Sequence, residues 1–386
     1  MEDAFFTEQP YAGLERLRPT RLEIDAASLR GNYRNIQKYV GLNCRIIGVV
    51  KGDAYSLGLL TIARILREEG CGVFAVATPE EALALRRGGF QEDILVMGAS
   101  PRVAAEPLIR NNVICACGDL DFALAMKEAA ERVGRPARVH VKIDSGMGRT
   151  GFLPDQAVAA APVLRDMGLS LEGAFTHFAV SEEPNPDYTL WQFGRFMAAV
   201  GEMRAAGVEL PLLHACNSVA ITRYPQMHLG AVRPGNLFYG LPKGEKNHFP
   251  QLPSIAVKTA LSAVRVLPPN SGIGYGLRYM TRGVQRIGVM PMGFYDGFAR
   301  FQRNPEVLIG GRRAPVVGAI CMDQTMIDLS QVPDAKVDDE VVVIGRQGEE
   351  EITVEEVAKR IDSVLSQVLS LFTHRVPRVV LNEGNK

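Results

Sequence analysis

Residues 45–58 read Arg45-Ile46-Ile47-Gly48-Val49-Val50-Lys51-Gly52-Asp53-Ala54-Tyr55-Ser56-Leu57-Gly58, an apolar run that ends at a lysine. The apolar part predicts a buried strand, and the glycine and aspartate after the lysine predict a turn. A lysine at such a junction is partly removed from water, which favours its neutral, nucleophilic amine. That amine can form a Schiff base with a carbonyl compound. A lysine that extends its ammonium group past the sheet into solvent is the alternative, and this stretch alone leaves both open.

This stretch is the first of a series in which short apolar runs alternate with amphipathic helical segments. After an opening helix at 25–41, the predicted strands are 45–50, 72–77, 93–98, 113–116, 138–143, 171–176, 210–215 and 228–232. The alternation predicts a parallel sheet, and eight repeats fit a closed (β/α)8 barrel of the TIM type. An open doubly wound sheet is the alternative. It usually has a glycine-rich phosphate turn after its first strand, where this chain has Lys51.

The pattern changes near residues 242–253, which are rich in Pro, Lys, Gly and His. Beyond them the apolar residues alternate with period two and are interrupted by Gly and Pro, which predicts a mostly antiparallel β-domain. Its predicted strands are 256–267, 284–291, 306–309, 316–320 and 340–344, and a single helix is predicted at 354–370. We therefore expect an unassigned N-terminal extension at 1–17, the barrel at 18–245 and a C-terminal β-domain at 246–386.

The composition restricts the class of protein. Lysine plus arginine and aspartate plus glutamate number 43 each, which argues against a strongly basic nucleic-acid binder. No signal segment starts the sequence, and no window has the roughly 20 apolar residues that a membrane span needs. The six cysteines mostly lie in apolar runs without the spacing of a zinc site, so reduced core thiols are expected. We expect a cytoplasmic protein that binds neither nucleic acid nor metal.

Polar residues follow the predicted barrel strands at one end, where the active sites of such barrels form. They are Lys51 after the first strand, Lys142 and Arg149 at the fifth, His177 after the sixth, Asn217 and Ser218 after the seventh, and Arg233, Gly235 and Asn236 after the eighth. Taken singly, each has a structural explanation, such as a tight loop, a core histidine or a helix cap. Their shared position at one barrel end raises the expectation of a functional site, with an anion held after strands seven and eight.

Two stretches of the predicted β-domain are also unusual. Tyr275 lies in the glycine-rich stretch 271–276, a poor place for a core tyrosine. Residues 317–323 run out of a predicted strand into a polar turn that ends with Met322 and Asp323. Each stretch taken alone is more often structural.

Together these motifs resemble the alanine racemase family from about residue 18 to residue 378. The resemblance rests on the stretches 49–55, 142–152, 176–179, 217–218, 233–235, 293–297, 321–324 and 375–378. It implies a (β/α)8 barrel with a C-terminal β-domain, pyridoxal 5'-phosphate as cofactor, a small amino acid as substrate and a head-to-tail homodimer with shared active sites. The implied activity is interconversion of L- and D-alanine, which supplies D-alanine for peptidoglycan.

The resemblance also implies roles for individual residues. Lys51 binds the cofactor covalently and acts as one base, and Tyr275 of the partner chain acts as the other, because racemisation needs a group on each face of the substrate α-carbon. Arg233 faces the pyridine nitrogen. Arg149 lies near the cofactor and the substrate carboxylate, positioned by a lysine, here Lys142, that is carbamylated in many members.

The remaining implied contacts concern binding. His177 orients Arg233 or polarises Tyr275. Tyr55, Ser218 and the amides of Gly235 and Asn236 hold the phosphate, and Asn217 and His374 are further cofactor-binding residues. Met322 and Asp323 line the substrate side from the partner chain.

Two departures from the family pattern bear on specificity. His374 stands where a phosphate-contacting tyrosine is usual, and Phe294 stands at another common tyrosine position on the access route. A smaller, polar group at position 374 motivates a serine or broad-specificity amino-acid racemase as the alternative function. A fold-related decarboxylase is a further alternative, but such enzymes carry an acid where this chain has Arg233. A carrier that binds the cofactor is disfavoured by the β-domain.

Overall fold

The computed structural model describes residues 17–241 and 248–383, so the expected domain limit near residue 245 lies outside the described residues. The described chain divides into two compact units. One, the β unit, comprises residues 17–27 and 254–383, and the other, the barrel unit, comprises 28–241 and 248–253.

The barrel unit contains a closed parallel barrel of eight strands in chain order, which confirms the predicted fold class. The strands are β2 (Arg45–Val49), β3 (Val73–Val76), β4 (Asp93–Val96), β5 (Ile114–Cys117), β6 (Arg138–Lys142), β7 (Ser170–Phe175), β8 (Leu212–Asn217) and β9 (Ala231–Arg233). One part of the interior is apolar, because Ile47, Leu95, Ile114 and neighbouring side chains pack together there. Another part is polar, since His140, Lys142, His214 and Arg233 are all buried.

Helices alternate with these strands, as the amphipathic segments predicted. They are Ala26–Val40, Leu59–Glu68, Pro79–Arg87, Ala105–Arg110, Leu120–Val133, Pro154–Asp166, Asp187–Ala205 and Ser218–Arg223. Local sequence fixes several ends. Thr78 and Glu81 form a capping box, Asp119 accepts a hydrogen bond from the Phe122 amide, and Gly134 ends its helix in the left-handed conformation. Within the described ranges, no helix combines the length and apolar character that a membrane crossing requires.

The β unit is built on a ten-stranded, mostly antiparallel sheet and a two-stranded ribbon. Its strands are β1 (Arg21–Asp25), β10 (Ile255–Ala260), β11 (Ala263–Leu267), β12 (Gly272–Ile273), β13 (Tyr279–Met280), β14 (Gln285–Met290), β15 (Glu306–Ile309), β16 (Arg312–Val317), β17 (Thr325–Asp328), β18 (Glu340–Gln347), β19 (Glu350–Ile352) and β20 (Arg378–Leu381). The sheet runs β11-β14-β17-β16-β15-β18-β10-β1-β20, with β19 paired to β18, and β12 and β13 form the ribbon.

The start of the chain differs from the expectation that residues 18–245 form one barrel domain. β1 pairs antiparallel with β10 and parallel with β20, so it belongs to the β unit. Leu22 and Ile24 are fully buried, which gives the strand its inward face. The partner strands of β1 lie far away in the sequence. A short strand pattern can predict that residues 21–25 form a strand, but it does not specify which sheet that strand joins.

The predicted helix at 354–370 is two helices, Val354–Arg360 and Leu365–Ser370. Asp362 adopts φ of 52°, which interrupts the right-handed helix between them. Thr353 caps the first helix, as predicted, by accepting from the Glu356 amide. The predicted strand at 316–320 is also corrected, because β16 ends at Val317 and Gly318 has φ of +73°.

Candidate active site

Lys51 lies two residues after the end of β2 and begins a left-handed turn over Lys51–Ser56. Gly52, Asp53, Ala54 and Tyr55 have φ of 65°, 52°, 52° and 62°, and Ser56 has 63°. A left-handed residue other than glycine costs roughly 1–2 kcal/mol, so four in succession are held by their surroundings.

Glu81 and Asp53 hold this turn through backbone amides. Glu81 Oε1 accepts from the amides of Gly52 and Asp53, and its Oε2 accepts from the amides of residues 77 and 78. Asp53 Oδ1 accepts from the Leu59 amide at 2.7 Å and joins the turn to the next helix. These contacts fix the backbone that carries Lys51.

The pKa of Lys51 is lowered, although the residue as a whole is exposed at the barrel end. Burial of the ammonium among protein atoms is the largest cause, and the charge of Arg149 is the next. Arg233 acts in the same direction, whereas Glu81 opposes both. A lowered pKa increases the fraction of neutral amine at a given pH, as the sequence position predicted.

Arg233, at the end of β9, is 3% exposed and is held by neutral acceptors. Its Nη1 donates to His214 Nδ1 at 2.7 Å, and its Nη2 donates to the carbonyls of Thr176 and Ala215 at 2.8 Å each. His177 Nδ1 lies farther from Nη2, at 3.4 Å. Burial lowers the pKa of Arg233 to about 10. Among the described residues, no carboxylate forms an ion pair with this guanidinium.

His214 is a site residue that sequence reasoning missed. The resemblance implied that His177 orients Arg233 or polarises Tyr275. The shorter of the two contacts between Arg233 and a histidine, at 2.7 Å, is the one with His214, whereas His177 lies 3.4 Å away. Both histidines have a lowered pKa through burial and the charge of Arg233. A histidine in the middle of an apolar strand was the available signal, because an inward-facing histidine in a barrel requires a polar partner.

The loop after β6 positions Arg149. Asp144 Oδ1 accepts from the amides of residues 146–148, and its Oδ2 accepts from the Arg149 amide at 2.8 Å. Burial acts to raise the pKa of Asp144, but these four donors give a net lowering. Gly151 has φ of +113°, and a Cβ there would lie 2.7 Å from the Lys142 carbonyl oxygen, so this close approach requires glycine.

Lys142 is buried beside this loop. Its Nζ donates to the Ile143 carbonyl at 3.2 Å and lies 5.1 Å from the centre of the Phe175 ring. Burial, together with the charge of Arg233, lowers the pKa of Lys142 to about 7. A substantial fraction of this amine is therefore neutral near neutral pH.

The residues predicted to hold the phosphate are brought together at the ends of β8 and β9. Ser218 Oγ accepts from the Gly235 amide at 2.9 Å, and Asn217 caps the short helix Ser218–Arg223. A Cβ on Gly235 would lie 2.3 Å from the Tyr55 hydroxyl, so the phenol packs directly on the glycine backbone. Burial raises the pKa of Tyr55 to about 12. The buried Asn236 Oδ1 has no hydrogen-bond partner among the described residues.

In the β unit, Tyr275 lies on the loop between β12 and β13. Gly274 and Gly276 flank it with φ of 68° and 71°, and its side chain is 71% exposed. A Cβ on Gly274 would lie 2.7 Å from Met326 Cε, which ties this loop to β17. The loop thus presents a phenol on a fixed backbone.

Met322, Asp323 and His374 lie on adjacent segments of the same unit. Asp323 Oδ1 accepts from Arg375 Nη1 at 2.6 Å, and the Met322 carbonyl accepts from the Tyr295 amide at 3.1 Å. His374 precedes Arg375 and has an exposed side chain. The sequence-predicted residues therefore form two groups, one on the barrel end and one on the β-unit loops.

The buried Asp296 anchors the second group. Arg18 and Arg375 both donate to its carboxylate, at 2.7 Å and 2.8 Å. Burial acts to raise the pKa of Asp296, but the two arginines give a net lowering. Arg375 thereby connects the buried acid to Asp323.

Comparison with known proteins assigns both units to one family. The family described as "Alanine racemase, N-terminal domain" matches residues 24–243, and "Alanine racemase, C-terminal domain" matches residues 254–380. Alanine racemase 2 of Caldanaerobacter subterraneus subsp. tengcongensis is 37% identical over 377 residues, which cover 96% of this chain and 97% of that protein.

Solved structures agree with the sequence matches. The alanine racemase of Clostridium difficile 630 superposes with a TM-score of 0.90 at 37% identity and covers 94% of this chain and 96% of that chain. Its complex with cycloserine gives a TM-score of 0.88 at 35% identity, with the same coverage. This chain therefore belongs to the alanine racemase family.

Proposed function

We propose that this chain is an alanine racemase that binds pyridoxal 5'-phosphate and interconverts L- and D-alanine. The observation that supports this most is that Lys51 and the buried Arg233 lie at the same end of the barrel. The pKa of Lys51 is lowered, and no described carboxylate pairs with Arg233. A reactive amine and a buried donor that lacks an acid fit a carbonyl cofactor whose ring nitrogen accepts a hydrogen bond.

The residues at this end fit the cofactor. Lys51 would bind its aldehyde carbon. Arg233 would donate a hydrogen bond to its ring nitrogen and keep its own proton, so that the nitrogen stays unprotonated. Ser218, Tyr55 and the backbone near Gly235 would hold its phosphate, since the absence of a Cβ at Gly235 lets the phenol and the backbone come together. When bound, the cofactor supplies an electron sink for the negative charge that develops at the substrate α-carbon.

The protein itself supplies proton transfer and orientation. Lys51 removes or returns the proton on one face of the α-carbon, and Tyr275 of a partner chain does so on the other face. Arg149 binds the substrate carboxylate, and Met322 and Asp323 line the substrate side from the partner chain. Asp144 holds the backbone of Arg149 in place, and Arg375 holds the side chain of Asp323.

We further propose that Lys142 carries a carbamate. The lone pair of the neutral amine forms a N–C bond to carbon dioxide, one C=O π bond breaks and its electron pair moves to oxygen, and the nitrogen releases one proton to solvent. The pKa of about 7 supplies the neutral amine. A carbamate beside Arg149 and Arg233 would offset their positive charges.

The decisive test of the reaction is α-proton exchange in deuterated buffer. Purified protein with added cofactor is given L-alanine and L-serine in parallel, and the products are resolved by chirality. Deuterated D-alanine with little D-serine supports alanine racemisation. Absence of exchange with either substrate contradicts the proposal.

The shared active site of the proposed homodimer has its own test. Lys51→Ala and Tyr275→Phe proteins are each inactive or nearly so, and their mixed dimer has one intact site if Tyr275 acts across the interface. After dissociation and reassociation, the mixture should regain about one quarter of wild-type activity, because about half the dimers are mixed and each has one intact site of two. No recovery means that both groups act within one chain.

The exposed His374 favours a second candidate, a serine or broad-specificity racemase. A histidine in place of the usual tyrosine offers a hydrogen-bonding group and more space for a hydroxylated side chain. The comparison of alanine and serine turnover in wild type and His374→Tyr separates the two. An unchanged ratio removes this argument.

A cytoplasmic location and supply of D-alanine to peptidoglycan complete the proposal. The six cysteines are free thiols and five of them are buried, which suits a reducing compartment. Growth that depends on added D-alanine after loss of the gene would test the biosynthetic role.

A further inference from the structure

The barrel interior contains a pair of histidines that the proposed chemistry does not use directly. His140 lies on β6 and His214 on β8, and both side chains are buried, with exposures of 3% and 0%. His140 Nδ1 lies 2.8 Å from His214 Nε2. The two residues meet because alternate strands of such a barrel supply each interior layer.

The strand between them leaves the space for this contact. Gly173 on β7 is the register partner of His140. A Cβ on Gly173 would lie 3.2 Å from His140 Cε1 and 2.2 Å from the Leu212 carbonyl oxygen. A side chain at position 173 would therefore displace both the strand and the ring, and the glycine permits the histidine pair.

The direction of the hydrogen bonds follows from Arg233. A guanidinium only donates, so His214 Nδ1, 2.7 Å from Arg233 Nη1, must accept. The proton of His214 is then on Nε2 and is donated to His140 Nδ1, which in turn places the proton of His140 on Nε2. Protonation of either ring would place two N–H donors face to face, either between the two histidines or between His214 and Arg233.

The surroundings favour these neutral forms. Burial, followed by the charge of Arg138, lowers the pKa of His140 to about 4, with Asp93 opposing. Burial and the charge of Arg233 lower the pKa of His214. The Phe175 ring stacks on His214 at 4.9 Å. Both rings are therefore neutral over the pH range in which most proteins are stable.

We propose that His140 is a positioning residue which, through His214, fixes the guanidinium plane of Arg233 toward the ring nitrogen of the cofactor. This inference rests on the proposed function. The contacts with His214, Thr176 and Ala215 occupy one Nη1 hydrogen and both Nη2 hydrogens. No acceptor among the described residues takes the Nε hydrogen or the second Nη1 hydrogen, so both remain for the cofactor. Loss of the acceptor on His140 frees the His214 ring to rotate, and Arg233 loses the fixed contact at Nη1.

The test compares His140→Leu with His140→Asn in the cofactor-loaded enzyme. The two side chains have nearly the same shape and remove the same ring volume, but only asparagine can offer an oxygen near the Nδ1 position. Three quantities are measured: the His214 tautomer from ring ¹⁵N NMR shifts, the shift of a cofactor labelled with ¹⁵N at its ring nitrogen, and kcat and KM for alanine.

We expect His214 in wild type to carry its proton on Nε2. His140→Leu should change the cofactor ¹⁵N shift and lower kcat about tenfold with little change in KM, whereas His140→Asn should stay within about threefold of wild type. Equal effects of the two variants, or a proton on His214 Nδ1 in wild type, would overturn the inference. If His140→Leu does not fold, the wild-type tautomer and the asparagine variant still decide.

Failure of the proposed function gives a different result. It appears as absent α-proton exchange in the wild-type protein, whatever the histidine tautomers are. Normal exchange with the wrong tautomer, by contrast, refutes only the role of His140.

Discussion

Replacement of Glu81 by alanine should loosen the turn that carries Lys51. The carboxylate accepts from the amides of Gly52 and Asp53 in that turn, and a methyl group cannot. Hydrogen bonds to a charged group contribute roughly 1.5–3 kcal/mol each. Because Gly52 is exposed and water can replace part of the loss, we take the lower value for both bonds, or about 3 kcal/mol of local opening free energy.

The measurement is hydrogen exchange of the amides in residues 52–58, read by mass spectrometry. A loss of about 3 kcal/mol corresponds to about a hundredfold faster exchange in this segment if opening is local. Glu80→Ala is the matched control, since Glu80 is the exposed neighbour in the same helical turn. That variant loses only a helix-dipole contribution of about 0.5 kcal/mol.

The same substitution has an electrostatic consequence with a defined sign. Glu81 raises the pKa of Lys51, so its removal should lower that pKa further. Titration of Lys51 by a carbonyl reagent would show the midpoint move to lower pH. If residues 52–58 exchange no faster than in Glu80→Ala, the left-handed turn does not depend on Glu81 and the reasoning is wrong.

Other outcomes follow from the same site. Lys51→Ala should abolish both activity and the absorbance of covalently bound cofactor, and a retained absorbance would identify another lysine. Tyr275→Phe should keep that absorbance but lose α-deuterium exchange from one enantiomer more than from the other, so equal losses would count against two bases. Lys142 should take up labelled carbon dioxide increasingly as pH rises through about 7 at fixed dissolved gas, and Lys142→Gln should not. Because its folded pKa lies below the unfolded value, the Lys142 contribution to stability should become more favourable as pH rises from about 7 to about 10.4.

Sequence periodicity predicted the barrel because each strand is an apolar run of its own. All eight predicted barrel strands overlap strands of the structure, and Lys51, His177 and Ser218 follow β2, β7 and β8 as expected. The register of β1 was beyond this reasoning, since its partners lie more than 200 residues away. The break at Asp362 was missed because a left-handed aspartate has no strong sequence signature.

The missed site residues share a physical reason. The sequence predicts Glu81 as the last residue of a capping box. Its contacts with two amides of the turn depend on four left-handed residues other than glycine, and no sequence pattern predicts that conformation for them. His140 lies two residues before Lys142, so period two places both on the inner face of one strand. Its contact with His214 depends on the space left by Gly173, which is a property of the closed barrel.

Two acids at the barrel end that carries Lys51 are engaged by backbone amides. Asp144 and Glu81 each direct their carboxylate oxygens to four backbone amides, and neither forms an ion pair with a site cation among the described residues. The charges of Arg149 and Arg233 are therefore left to act on their neighbours, and they add to burial in lowering the pKa of Lys51 and Lys142. The acids thus shape the backbone, while in the proposed function the cations would lower the pKa of the two lysines and attract an anionic cofactor and substrate.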